Sequence, residues 1–246
     1  MKPLRVGELF AGIGGIGLGL ERTGGFEVVW QVENNDYATK VLEKNWPDVT
    51  RHDDVCTFPP EKGEWDVDLI TAGFPCQDIS IAGKGKGLDG KQSGLFYEVV
   101  RIVDRLRPTA VLLENSSMLL SRGLDIVLGE LASLGYYAEW HCIPAAHVGA
   151  PHRRDRIYIM AYASGKGLQG QRGLAKASQV CTQEEVGLFR SSVGQDQWGI
   201  EPDVGRVANG IPRRVDRLKC LGNAVVPQVA QLLGEMILSR TKCLSN

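Results

Sequence analysis

The chain has 246 residues, of which 43% are hydrophobic and 23% charged, with a formal net charge of −1. That is an ordinary globular composition, enough for one core with or without a small appendage. It excludes a strongly basic chain, so any groove for nucleic acid must be local and offset by acidic residues elsewhere.

The six cysteines (Cys56, Cys76, Cys142, Cys181, Cys220 and Cys243) include no C-x-x-C pair, and the histidines are scattered, so no metal is expected. The opening MKPLRVGELF has no apolar stretch followed by a cleavage site, and no run reaches the length of a membrane span. The expectation is a cytoplasmic protein with reduced thiols and no membrane contact.

In chain order, Arg5 to Phe10 is a short apolar run that enters the Gly-rich turn AGIGG and predicts a buried strand. Ile16, Leu18 and Leu20 follow on a short helix that stops at Thr23-Gly24-Gly25. Phe26 to Val32 predicts a second strand, and Tyr37 to Asn45 a helix that Pro47 ends. Val67 to Thr71 predicts a third strand, followed at once by Gly73-Phe74-Pro75-Cys76. From Gly94 to Arg107, Leu95, Val99, Ile102, Val103 and Leu106 fall on one helical face. Ala110 to Leu113 predicts another strand, capped by Glu114-Asn115. A helix around Ile126 to Leu134 and strands near Tyr136 to Ile143 and Arg156 to Ala161 complete the alternation. Residues 164 to 200 are rich in Gly, Gln, Ser and Lys, and Val225 to Leu238 returns to helical periodicity.

Strands alternating with helices predict an α/β domain with a largely parallel sheet. Ligands of such sheets sit beyond the carboxyl ends of the strands. Phe10, Glu33, Cys76 and Glu114 all fall at or just past predicted strand ends, so they are read as one site. Gly12-Ile13-Gly14-Gly15-Ile16-Gly17 satisfies G-x-G-x-x-G between a strand and a helix, and Glu33 follows at the end of the second strand. Glycines admit a ligand close to the backbone, and a carboxylate there can accept both ribose hydroxyls. On spacing alone, NAD and S-adenosylmethionine remain equally open. Cys76, just past a strand and behind a proline, is placed to act as a thiolate nucleophile.

FAGIGG at Phe10 to Gly15, GFPCQ at Gly73 to Gln77, ENS at Glu114 to Ser116, RRDR at Arg153 to Arg156 and LGNAVVP at Leu221 to Pro227 resemble the ordered motifs of the DNA cytosine-C5 methyltransferases. The resemblance runs from near the first residue to about residue 230, in the family order. It implies a Rossmann-like S-adenosylmethionine-dependent methyltransferase fold with a small target-recognition segment, and methylation of cytosine C5 in a short duplex DNA sequence. Cys76 would add to C6 of a flipped-out cytosine, and Glu114 would hydrogen-bond N3 and the exocyclic amine and assist protonation at N3. Arg154 would contact O2 and Arg156 would orient the site. For the cofactor, the resemblance implies Phe10 along the adenine or methionine, Gly12, Ile13 and Gly15 in the turn, and Glu33 at the ribose hydroxyls, with Asn34 and Val55 also counted among the cofactor-binding residues. Asp54 would meet the adenine amino group, Pro75 would lie beside the methyl, and Asn223 and Ala224 would close the methionine end. Gln77, Ser80, Lys84 and Lys86 lie on a loop expected to close on DNA, its lysines meeting phosphates.

The expected organisation is a cofactor and catalytic core at 1–163, a target-recognition segment at 164–205, and a C-terminal segment at 206–246 that packs back on the core. The expected partner of a monomeric chain is double-stranded DNA, with room for a cognate restriction endonuclease, as in compact bacterial, phage or mobile-element enzymes. Departures are Ser116 for the valine of ENV, His152 for the glutamine of Q-x-R-x-R, and EPDVGRVANGIPRRVDRL where a further motif usually stands. Three rival readings remain. A tRNA cytosine methyltransferase would keep Cys76 and Glu114, but its typical Cys-Phe-Thr segment is absent. An NAD-dependent oxidoreductase would leave Glu114, Asn115 and Arg154 idle. A catalytically dead DNA-binding relative sits poorly with the intact Pro75-Cys76.

Overall fold

The computed structural model describes residues 2–75, 94–164 and 213–244. Cys76, Gln77, Ser80, Lys84 and Lys86 lie outside the described residues, as does all of the expected recognition segment beyond Ser164. The strands are β1 (Leu4–Leu9), β2 (Phe26–Val32), β3 (Thr50–His52), β4 (Leu69–Ala72), β5 (Ala110–Ser116), β6 (Tyr136–Pro144) and β7 (Asp155–Ala163). They form a seven-stranded sheet in the order β3-β2-β1-β4-β5-β7-β6. Pairing is parallel from β3 through β5, while β7 runs antiparallel to both β5 and β6. The helices are α1 (Gly15–Glu21), α2 (Asp36–Asn45), α3 (Gly94–Leu106), α4 (Leu124–Ser133), α5 (Arg214–Asn223) and α6 (Pro227–Leu244). No described helix is long and apolar enough to cross a membrane.

Two apolar layers sandwich the sheet. On one face, Leu9, Val32, Ile70, Leu113 and Ile159 pack with Phe96, Val99, Ile102 and Val103 of α3 and with Val127 and Leu131 of α4. On the other, Val6, Val28, Leu69, Leu112 and Tyr158 pack with Ile16 and Leu20 of α1 and with Val229, Leu232, Leu233 and Ile237 of α6. All four residues of β4 and the first six of β5 are buried, because these central strands are covered on both faces.

Several predicted boundaries move, each for a reason of packing. Leu18 is exposed, and α1 buries Ile16, Gly17, Gly19 and Leu20 instead, since its glycines let α6 lie against it. The third predicted strand starts at Leu69 rather than Val67 and reaches Ala72. Glu114 and Asn115 lie inside β5, because antiparallel β7 pairs with that strand as far as Ser116. The edge strand β3 has no apolar run to announce it and exists through its pairing with β2. The periodicity did not predict α5, which buries no residue.

Candidate active site

The first half of the site is the turn between β1 and α1. Phe10, Gly12 and Gly14 all have positive φ, at 54°, 58° and 81°, which swings the chain out of the strand and into the helix. Gly12 N–H donates to Glu33 Oε2 at 2.7 Å, and Asn35 N–H donates to Glu33 Oε1 at 2.8 Å. One carboxylate thus joins the ends of two neighbouring strands. A Cβ on Gly12 would meet no heavy atom within 4 Å, so space stands open over the turn. A Cβ on Gly15 would stand 2.4 Å from Val225 O, so only glycine lets the connection between α5 and α6 close behind the turn. Phe10 and Ile13 are half-buried, Asn34 is exposed, and Glu33 and Asn34 line a cleft of about 420 Å³ that includes Thr39, Lys40 and Asp53.

A second turn follows β3. Asp54 is exposed, and its Oδ1 accepts from Cys56 N–H at 2.9 Å. Val55 is buried and packs in the same cluster as Trp30 and Phe58.

The second half of the site lies across β4, β5 and β7. Glu114 is 8% exposed, and its Oε1 is 2.9 Å from Nε of Arg156. Beside it, Asn115 Nδ2 donates to Phe74 O at 3.0 Å, which fixes the chain two residues before Cys76. Glu114 Oε2 is 3.3 Å from the position that a Cβ on Gly73 would take. Pro75 is exposed. Arg154 has φ 36°, and its Nη2 donates to Ala224 O at 2.6 Å. The Nε of Arg154 is buried without a hydrogen-bond partner. Ala224 is half-buried and Asn223 exposed.

Burial pushes the Glu114 carboxyl above its ordinary value, while the Arg156 and Arg154 guanidiniums pull it back. Burial and the neighbouring Arg156 lower Arg154. Tyr158, paired with Glu114 across the sheet, is pushed up by burial and stays a neutral phenol. The result is a carboxyl able to hold or deliver a proton, with two cationic donors beside it, at the carboxyl edge of the parallel strands. The Gly12 turn, at the end of β1, opens on the same edge, with β4 between it and the strand that carries Glu114.

Sequence reasoning passed over two charged residues that hold this edge together. Glu8 stood visible as a carboxylate between apolar residues; it is buried in β1, accepting from Gly17 N–H at 2.7 Å and from Gln31 Nε2 at 2.8 Å. Arg101 gave no signal, because its partners include main-chain carbonyls of the turn after β3.

A family described as C-5 cytosine-specific DNA methylase matches residues 4–201. The Type II methyltransferase M.CviJI of Paramecium bursaria Chlorella virus IL3A is 43% identical over 155 residues, covering 63% of this chain and 42% of that protein. The Type II methyltransferase M.HhaI of Haemophilus parahaemolyticus is 35% identical over 173 residues, covering 69% of this chain and 52% of that protein. The chain therefore spans about half the length of the curated relatives it matches. Among solved structures, a DNMT2 mutant from Spodoptera frugiperda aligns with a TM-score of 0.68 at 17% identity, covering 96% of this chain and 99% of that one. The methyltransferase EhMeth of Entamoeba histolytica aligns at 0.69 and 16% identity, covering 98% and 99%. At such identities the likeness is one of fold.

Proposed function

Because the chain belongs to the C-5 cytosine-specific DNA methylase family, we propose that it methylates C5 of cytosine in double-stranded DNA, with Cys76 as the nucleophile. The family uses S-adenosylmethionine, which when bound supplies an electrophilic methyl group. The residues present fit that group. The Gly12 turn leaves room for a ligand against the backbone, and Glu33 spans the ends of β1 and β2. In this reading Glu33 and Asn34 take the ribose hydroxyls, and Phe10 packs along the adenine or methionine. Asp54 and Val55 meet the adenine edge, Gly12, Ile13 and Gly15 line the turn, Pro75 borders the methyl, and Asn223 and Ala224 close the methionine end.

The target cytosine must leave the duplex to be reached. The Cys76 thiolate adds to C6, the C5–C6 double bond opens, and Glu114 delivers its proton to N3. C5 is then electron-rich enough to take the methyl, whose bond to sulfur would break to leave the donor as the neutral thioether S-adenosylhomocysteine. A water molecule acting as base takes the C5 proton, that electron pair restores the C5–C6 double bond, Cys76 leaves C6 as thiolate, and N3 gives its proton back to Glu114. Arg156 holds Glu114 in aim. Arg154, whose buried Nε has no hydrogen-bond partner, supplies a donor for the base's O2. Gln77, Ser80, Lys84 and Lys86 serve the DNA backbone, and residues 164–205 read a short recognition sequence.

The observation that supports this most is the Asn115–Phe74 hydrogen bond, which ties the approach to Cys76 to the residue beside Glu114. Bisulfite sequencing of DNA from cells expressing the chain should reveal methylated cytosines in one short sequence context. On duplex DNA carrying 5-fluorocytosine, the chain should form a covalent adduct that Cys76→Ser does not. An adduct with the serine variant would overturn the assignment of the nucleophile.

A further inference from the structure

Helix α3 begins at Gly94, where the chain returns from the segment that carries Cys76, and it buries Phe96, Val99, Ile102, Val103 and Leu106. From the flank of that buried face, Arg101 reaches the turn after β3. Its Nη2 donates to Val55 O at 3.0 Å and to Phe58 O at 3.3 Å, and its Nη1 donates to Phe58 O at 3.2 Å. Glu98, one helical turn earlier, holds the remaining nitrogen, Nε, at 2.5 Å. All three guanidinium nitrogens are thereby engaged.

The turn's own main-chain ties are local. Cys56 N–H returns to the Asp54 carboxylate and Thr57 N–H to the Asp54 carbonyl. Such bonds shape a turn without fixing where it stands. Beyond the His52 ring, which meets Thr57 Oγ1 at 3.0 Å from the adjoining strand β3, its attachments to the rest of the molecule include the buried Val55 and Phe58 side chains and the Arg101 fork. The Arg101 side chain is 37% exposed, so its ion pair with Glu98 contributes little by itself. What distinguishes the arrangement is two carbonyls of one turn facing one planar guanidinium. A lysine ammonium, a point charge without that fork, does not reproduce it.

We propose that Arg101 is a positioning residue for adenine recognition, clamping the Asp54–Val55 turn to the helix that follows the nucleophile segment. The proposal rests on the reading in which Asp54 and Val55 meet the adenine edge. Loss of the fork frees that turn while leaving the Glu33 carboxylate and the Glu114–Arg156 pair, which Arg101 does not touch. Cofactor affinity should fall at its adenine end and the chemical step should not.

The test uses the full chain with Arg101→Met and Arg101→Lys, and titration calorimetry with S-adenosylhomocysteine and with S-inosylhomocysteine, whose purine bears a carbonyl in place of the amino group. The native chain should prefer the adenosyl compound. In both variants that compound should bind about tenfold more weakly, the inosyl compound should change little, and the preference should collapse. In steady state, KM for S-adenosylmethionine should rise by the same factor with kcat within about twofold. Equal weakening of both compounds, or a fall in kcat at unchanged KM, would reduce Arg101 to a support of the fold and overturn the proposal. If Arg101→Met does not fold, Arg101→Lys keeps the aliphatic stem and the charge and carries the same comparison. A native chain that binds neither compound would instead sink the reading of the cofactor site, a failure visible before any variant is made.

Discussion

Glu114 and its two arginines show how a single side-chain orientation assigns a role. Both Arg154 and Arg156 neighbour the carboxyl, yet Arg156 makes the ion pair at 2.9 Å and Arg154 reaches Ala224 O instead. The pairing opposes the effect of burial on the carboxyl. Arg156→Met removes that opposition, so the Glu114 carboxyl should hold its proton to higher pH. With Glu114 as proton donor to N3, the high-pH limb of the rate profile should move upward, and the plateau rate should drop roughly a hundredfold as the carboxyl loses its aim. Single-turnover methylation of a short duplex across a pH series reads both effects. A limb that stays in place would mean that Glu114 is not the titrating donor.

Helix α1 is a poor helix by its own residues. It has seven residues, carries Gly17 and Gly19 inside, and has no side-chain cap at Gly14. Buried Glu8 supplies the missing acceptor from below, taking Gly17 N–H while Gln31 holds its other oxygen. Burial raises that carboxyl from 4.5 to about 7, more than its hydrogen bonds lower it. The native chain therefore keeps a proton on Glu8 over a pH range in which an unfolded chain has released it. Stability from this group is full below about 4.5 and is lost as pH rises toward about 7. The loss amounts to about 3 kcal/mol at most. Glu8→Gln cannot titrate, and an amide there can bond Gln31 once Gln31's own amide turns over, bringing its unpartnered Oε1 into use. Urea unfolding at a series of pH values should show the native chain losing stability relative to Glu8→Gln across that window. A constant difference would refute the link.

At the scale of the whole molecule, the two ends of the chain form one layer. Helix α6 covers α1 so closely that a Cβ on Gly19 would stand 2.2 Å from Pro227 O. Val229, Leu233 and Ile237 share a core with Val6, Leu20 and Phe26. A chain ended after residue 212 would leave that core open to water and should show no cooperative thermal transition by calorimetry. Leu233→Ala in the full chain should still unfold cooperatively, with about 3 kcal/mol less stability in urea. A shortened chain that melted like the full one would show that α6 is dispensable to the fold.

What the sequence determined by itself was whatever is encoded in neighbouring residues. The apolar residues around Leu69 and Ile70 and from Ala110 to Leu113 marked two strands, and the spacing of Leu95, Val99, Ile102, Val103 and Leu106 marked the inner face of α3, on which all but the half-buried Leu95 are buried. The glycines from 12 to 15 marked a turn between a strand and a helix, and Glu33 and Glu114 lay at or near the carboxyl ends of their strands. Only the tertiary structure decided that Arg156 rather than Arg154 grips Glu114, that Glu8 caps α1, that Thr50–His52 becomes an edge strand, and that Arg101 holds Val55 across 46 residues of chain. The division has a physical cause. Periodicity and turn chemistry act within a few residues and leave a pattern in the sequence. A guanidinium bound to main-chain carbonyls leaves none, because every residue carries a carbonyl and only the folded chain selects which one comes within reach.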